Sequence, residues 1–324
     1  MKKRCSYLLG ALAVLAVVGA MITPGLSVDS SEQIVREVNQ NDPLAQYQTI
    51  GDALADALPG DIIIVHPGMY EESVTISGIT LKALRGPEVT VIQSPDGTGD
   101  GVTLTGNQNV SLIGFRIQGF VQGVVVNTDA GSTKVGNCVV TGNSSHGFYL
   151  STSMPNSAKI INNICADNGG NGIYAVPPSA NASFTSVFNN IIFRNGGVGF
   201  GASRNVVFGD YNCIFDNTNG DFSSYGFGSS NAGIHSITTD PLIDARQHYR
   251  FISQSSPSVN TGHPTSFYDD PDGSANDMGA YGGPEAANWW RDPFTGPTIE
   301  NVTIDPPQVR PGGTVTIRAT AKTE

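Results

Sequence analysis

The sequence predicts an all-β solenoid, a parallel β-helix with a short N-terminal capping helix, and two repeating phrases predict it. The first reads Gly114-Phe115-Arg116-Ile117, Asn137-Cys138-Val139-Val140, Asn162-Asn163-Ile164-Cys165, Asn189-Asn190-Ile191-Ile192 and Tyr211-Asn212-Cys213-Ile214, at intervals of roughly 22–27 residues. The second keeps step with it: Gly123-Val124-Val125-Val126, Gly147-Phe148-Tyr149-Leu150, Gly172-Ile173-Tyr174-Ala175 and Gly199-Phe200-Gly201-Ala202. Two strand-like segments per repeat, separated by Asn and Gly turn chemistry, describe one rung. A single rung cannot bury its own apolar face, whereas stacked rungs share a continuous core.

Residues 1–27 read as a signal peptide: Lys2, Lys3 and Arg4, then the apolar stretch Leu8–Ala20, then small residues at Gly25 and Ser27 for cleavage before Val28. An uncleaved anchor is the competing reading, and the apolar run is short for a membrane span. Without those three cations, the 17 Lys+Arg of the chain fall to 14 against 28 Asp+Glu, a net charge of −14. Such a surface repels nucleic acid and anionic membranes, so neither is expected as a partner. Beyond Cys5 of the leader, Cys138, Cys165 and Cys213 remain, an odd number. All three sit within the strand phrase and read as buried free thiols.

Residues 28–46 read as a loosely ordered lead-in. Residues 47–58 form an amphipathic helix with Thr49 as N-cap and Ile50, Ala53, Leu54, Ala57 and Leu58 on one face. Pro59-Gly60 stops it, Asp61–Val65 is a buried strand, and the helix suits the open end of a solenoid core. These segments carry a resemblance. Tyr47-Gln-Thr-Ile50, Pro59-Gly-Asp-Ile-Ile-Ile-Val65, Pro67-Gly-Met-Tyr-Glu71, Val74-Thr-Ile76 and Ile79-Thr-Leu81 resemble the opening of secreted right-handed parallel β-helix proteins, the pectin-lyase-like superfamily. The resemblance spans roughly residues 45–283 and implies fold more than activity. Its members include polysaccharide lyases, glycoside hydrolases, carbohydrate esterases and non-enzymatic surface proteins.

Aligned rungs place Cys138, Asn163, Asn190 and Asn212 in one column, with Ile117, Val140, Cys165, Ile192 and Ile214 two residues on. Both columns are expected to face inward, the asparagines bonding amide to amide along the axis. Val139, Ile164, Ile191 and Cys213 make the opposite face apolar too, so the inverted register competes. Residues 177–186 and Asn219 to about His235 read as insertions that wall a groove. Asp240-Pro-Leu-Ile, Tyr249-Arg-Phe-Ile, Ser256-Pro-Ser-Val-Asn-Thr-Gly262, Asp270-Pro-Asp-Gly273 and Asp277-Met-Gly-Ala-Tyr281 resemble the terminal segment of bacterial "choice-of-anchor" β-helix proteins, although Asn260 stands where that group often has Asp. The resemblance implies export and a bacterial surface or released protein. The β-helix with its cap and this segment is expected over 47–283, a linker over 284–297, and an incomplete immunoglobulin-like pair of strands over 298–324.

The enzymatic relatives imply tests. The three-acid hydrolase pattern is matched only by Asn127-Thr128-Asp129 and Ser145-His146-Gly147, with no Asp-Asp between, and the esterase pattern is absent. A lyase needs a basic residue and usually a cation. Lys134 and Lys159, 25 residues apart, are expected to project outward on adjacent rungs about 4.8 Å apart. They are candidate catalytic or sugar-contacting groups, or simply lysines neutralised by Asp129 or Asp167. Tyr149 and Tyr174 occupy equivalent outward positions and offer a flat surface for pyranose rings, the ladder ending at Gly201. Asp269, Asp270, Asp272, Asn276 and Asp277 around Gly273 are candidate Ca2+ ligands in a structural role. The reading is a monomeric secreted or cell-surface protein that binds a polysaccharide or cell-surface glycan, or serves as an extracellular scaffold. A calcium-assisted uronate lyase is the alternative, and a protein-binding adhesin the third.

Overall fold

Each turn of the chain lays down three short strands, and successive turns stack in parallel register. The computed structural model describes residues 33–128, 132–151, 157–176, 185–202, 207–224, 233–289, 298–305 and 316–322; the leader expected at 1–27 lies outside them. One rung runs Ser132–Gly136, Val139–Thr141 and Phe148–Leu150, and the next begins at Ser157–Ile161. The rungs build three parallel sheets of eight, seven and seven strands, sheets 1, 2 and 3 in chain order within a rung. The corner from sheet 1 to sheet 2 takes two residues, and the one from sheet 2 to sheet 3 takes six, 142–147.

The short corner explains the Asn-rich phrase. Its first residue adopts the left-handed conformation at Asn137, Asn162, Asn189 and Tyr211, with φ of 55°, 54°, 59° and 52°, a region that asparagine tolerates better than most side chains. Its second residue turns inward. Asn163 Nδ2 donates to Asn190 Oδ1 (3.0 Å) and Asn190 Nδ2 to Asn212 Oδ1 (3.0 Å), while each Oδ1 also accepts the preceding rung's backbone N–H. The column Ile117, Val140, Cys165, Ile192 and Ile214 lies in the same core. The inward register is therefore the observed one. A second ladder runs through the other corner: Asn143 to Asn168, Asn168 to Asn195 and Asn195 to Asn217 (2.9 Å each), closing on Asp221 (3.0 Å).

The glycines that open the second phrase are fixed by crowding. A β-carbon on Gly147 would stand 2.2 Å from Cys165 Sγ, and one on Gly172 would stand 2.5 Å from Ile192 Cγ2. Only glycine lets the strand of sheet 3 start against the inward side chains of the next rung. Cys138, Cys165 and Cys213 are free and buried, and burial pushes the thiols of Cys138 and Cys213 up to about 12, so they pack as hydrophobes.

The outer face of sheet 2 is apolar because it is covered. Val139, Ile164, Ala166, Ile191, Phe193 and Cys213 form a second core with Ile243, Tyr249, Phe251, Met278, Ala280, Tyr281, Ala286 and Trp289 of the C-terminal segment. The outward corner asparagines hold that segment. Asn137 Nδ2 donates to Gly282 O (2.7 Å), Asn162 Nδ2 to Asp277 O (2.9 Å), and Asn189 Oδ1 accepts from His263 N (2.8 Å). Arg250 adds an ion pair to Glu88 (2.7 Å) and stacks over Tyr281 (4.1 Å).

Several expected boundaries move. The helix is shorter, Ile50–Ala55, with Thr49 capping Asp52 N at 3.1 Å. The Glu72 carboxylate accepts from Ile50 N and Gly51 N (2.8 Å each), completing the N-terminus. Ile50 and Ala53 enter the core, but Leu58 is 55% exposed, because Pro59-Gly60 has already turned the chain. Within the expected lead-in, Val35–Val38 pairs in parallel with Ile62–Val65 and starts sheet 1. Residues 284–289, expected as linker, fold back as a 3-10 turn over Pro284–Asn288 with Trp289 buried. Thr298–Asp305 and Thr316–Lys322 form an antiparallel pair.

The ladder should carry measurable stability. Asn190→Ala removes bonds to Asn212 Oδ1, Ile160 O and Phe188 O and strips Asn163 N of its acceptor. A loss of about 3 kcal/mol is expected in urea unfolding, against about 0.5 kcal/mol or less for Asn219→Ala on the exposed surface. Equal losses at the two positions would contradict a structural role for the ladder.

Candidate functional site

Tyr149 and Tyr174 are direct partners on sheet 3. Strand alternation puts Phe148, Leu150, Ile173 and Ala175 into the core and leaves the two tyrosines on the outer face, half-buried. Their rings lie 6.0 Å apart, tilted by 50°. Gly201 is the next partner in the column, which ends the pair as expected. His146 joins them: its ring is 4.8 Å from Tyr174 and stacks on Tyr149 at 6.2 Å. Its Nδ1 accepts from Asn171 N (3.0 Å), which assigns the proton to Nε2, and burial lowers its pKa. His146 is thus a neutral N–H donor beside two phenols, and its Nδ1 is occupied. Sequence reasoning missed it as a partner of the tyrosines, because it sits in the corner one residue before the repeat glycine.

Lys134 and Lys159 are partners on adjacent rungs of sheet 1, as their spacing predicts. The sheets separate them from the tyrosines, so the two pairs make two sites. Lys134 Nζ does not meet Asp167 among the described residues. Asp129 lies outside the described residues, and Asp167 bonds Arg194 (2.9 Å) and Tyr249 OH (2.8 Å). Instead Lys134 bonds Glu285 (2.7 Å), which Lys82 also holds (3.0 Å). Burial raises the Glu285 pKa, but the two lysines outweigh it and hold the carboxyl below its usual range. Lys159 is exposed and has no acidic partner among the described residues. Both lysines line a groove of about 610 Å³ with Ile161, Phe267, Tyr268 and Pro284. Its wall comes from residues 267–285, whereas the insertions expected to wall a groove fall largely on 177–184 and 225–232, outside the described residues.

The acidic loop spends its oxygens on amides. Asp270 Oδ2 accepts from Asp277 N (3.0 Å) and its Oδ1 from Gly283 N; Asp272 Oδ1 accepts from Ser274 N (2.9 Å); Asp277 Oδ1 accepts from Asn260 N (2.7 Å). Asn276 is buried, donating to Tyr268 O (2.6 Å) and accepting from Asn162 Nδ2 (3.2 Å). Asp269 caps the 3-10 turn Ser266–Tyr268 through its backbone N–H. Among the described residues no three of His, Cys, Asp and Glu come together. The loop thus pins the C-terminal segment through hydrogen bonds. No described helix is long and apolar enough to cross a membrane.

The family described as right handed beta helix region matches residues 100–244, the span that holds Tyr149, Tyr174, Lys134 and Lys159. No curated protein sequence matches the chain. Among solved structures it is similar to pectate lyase Pel9A, at 17% identity over 76% of this chain and 96% of that one, with a TM-score of 0.37. It is similar too to pectin methylesterase PemA from Erwinia chrysanthemi, at 12% identity over 68% and 95%, with a TM-score of 0.31. The pectin methylesterase from Aspergillus niger gives 15% identity over 66% and 93%, with a TM-score of 0.29. Likeness at this level assigns no activity and no site residue.

Asp270 makes the docking of the C-terminal segment pH-dependent. Burial first, and the charges of Asp277 and Asp272 in addition, push its carboxyl up to about 7. The folded pKa exceeds the unfolded value of about 3.9, so its stabilising contribution is complete below about pH 4 and is lost as pH rises through about 7. Asp270→Asn cannot titrate. The wild-type melting temperature should therefore fall relative to the variant's between about pH 5 and pH 8. A difference that stays constant over that range would show that Asp270 is ionised throughout.

Proposed function

We propose that this protein is exported from the cell and binds a polysaccharide or cell-surface glycan on the outer face of sheet 3, without cleaving it. The observation that carries this is the half-exposed group of Tyr149, Tyr174 and His146, whose rings lie 4.8–6.2 Å apart on neighbouring rungs. Sugar rings present C–H faces that pack on aromatic faces, while phenol and imidazole N–H groups at the edge bond hydroxyls. Parallel rungs repeat every 4.8 Å or so, so the rings form a track along the solenoid axis. The chemistry of the group favours binding over catalysis. His146 Nδ1 is engaged by Asn171 N, burial lowers its pKa, and among the described residues its ring partners are the two phenols. The signal-peptide-like pattern of residues 1–27 supports export, and the acidic charge supports solubility.

Binding of the purified chain to a panel of pectates, alginates and neutral glycans tests the proposal, with unsaturated and reducing-end products followed in parallel. At least one glycan should bind, with Tyr149→Ala and Tyr174→Ala each weakening it about tenfold, and no product should appear. Binding untouched by either substitution would remove the tyrosines as the site. Unsaturated product lost in Lys159→Ala would replace the binding reading with a lyase.

A further inference from the structure

Two of the chain's six lysines, Lys134 and Lys159, line the groove on sheet 1, and Lys82 stands beside it on Glu285. Beyond residue 27 the sequence contains Lys82, Lys134, Lys159 and Lys322, in a protein of net charge −11. The fold brings the first three together on the outer face of sheet 1, where Lys82 and Lys134 share Glu285. Two ammonium groups therefore hold one carboxylate, and Lys159 adds a third positive charge to the same groove. A solvated, incidental lysine would be expected near one of the many acids, yet Lys159 has no such partner among the described residues and lines the groove.

The rest of the lining is suited to a ring. Phe267, 71% exposed, packs edge-on against Tyr268 at 5.2 Å, and both border the groove with Ile161 and Pro284. The Ser111 and Ser132 hydroxyls lie on the lysine side. At about 610 Å³ the space is within the range of small-molecule sites. The fixed wall is rigid: Glu285 is tied to two strands of sheet 1, and Tyr268 accepts the Asn276 amide through its carbonyl.

We propose that this groove is a second binding site, separate from the tyrosine track, for a carboxylate carried on a six-membered ring with an apolar face. Lys159, with Lys134 beside it, pairs the carboxylate, and Phe267 and Tyr268 cover the ring. A sugar acid and an aryl acid share that chemistry. The site does not depend on the reading of sheet 3, and no bond is made or broken in it.

Titration calorimetry of the full chain with glucuronate, phenylacetate, glucose and acetate tests it. Glucuronate binding alone identifies a sugar source and phenylacetate alone an aryl source; either supports the site. Glucose and acetate should bind at least about tenfold more weakly, lacking the charge and the ring respectively. Lys159→Ala and Phe267→Ala, both exposed positions, should each weaken the bound acid by about tenfold or more with unchanged melting temperature. Tyr149→Ala should leave it unchanged. No heat with either acid, equal binding of glucose or acetate, or indifference to Lys159→Ala would overturn the proposal.

Discussion

Two neighbouring residues at the tight corner between sheets 1 and 2 carry opposite duties, and the molecule depends on the pair. In Asn162-Asn163 and Asn189-Asn190 the first asparagine accepts the left-handed backbone and faces out, and the second faces in. The inward one satisfies backbone groups that a two-residue turn would otherwise bury without partners, a penalty of about 1–3 kcal/mol each. The outward one fastens the C-terminal segment. A shift of one residue would exchange the two roles and turn every side chain of sheet 2 to the wrong side.

That double duty shows why the fold was plainer in the sequence than the register, although the inward register expected of the Asn column is the one observed. Repeat length, turn chemistry and the helical cap are local, and each is found where the sequence puts it. Inward and outward faces of sheet 2 look alike in sequence because both are buried, one by the solenoid and one by a segment far along the chain (Asn189 to His263 spans 74 residues and Asn162 to Asn276 spans 114). Periodicity counts neighbours and has no term for such a partner. The second ladder was within reach: Asn143, Asn168, Asn195 and Asn217 recur in the same period as the first. The Gly147 column was also visible, but its cause was not, since nothing at Gly147 itself reveals the Cys165 sulfur that a β-carbon would strike.

The candidate sites divide in the same way. Pairing Lys134 with Lys159 and Tyr149 with Tyr174 needed only the repeat. Which charge neutralises Lys134 needed the chain to return, because Glu285 is 151 residues away. Its arrival changes the chemistry: Lys134 is tied to a half-buried carboxylate that forms a wall of the groove, whereas Lys159, one rung on, is exposed.

Covering one face of a solenoid also directs where ligands can go. Sheet 2 spends its outer surface on a second core, so among the described residues the outer faces open to a ligand are those of sheets 1 and 3. The same segment that closes sheet 2 supplies Phe267, Tyr268 and Glu285 to the groove on sheet 1. Stability and binding are thus coupled through one element. Loosening its attachment at Asn137, Asn162 or Asn189 would expose the apolar face of sheet 2 and dismantle the groove wall together, whereas the tyrosine track on sheet 3, built from rungs alone, would be left standing.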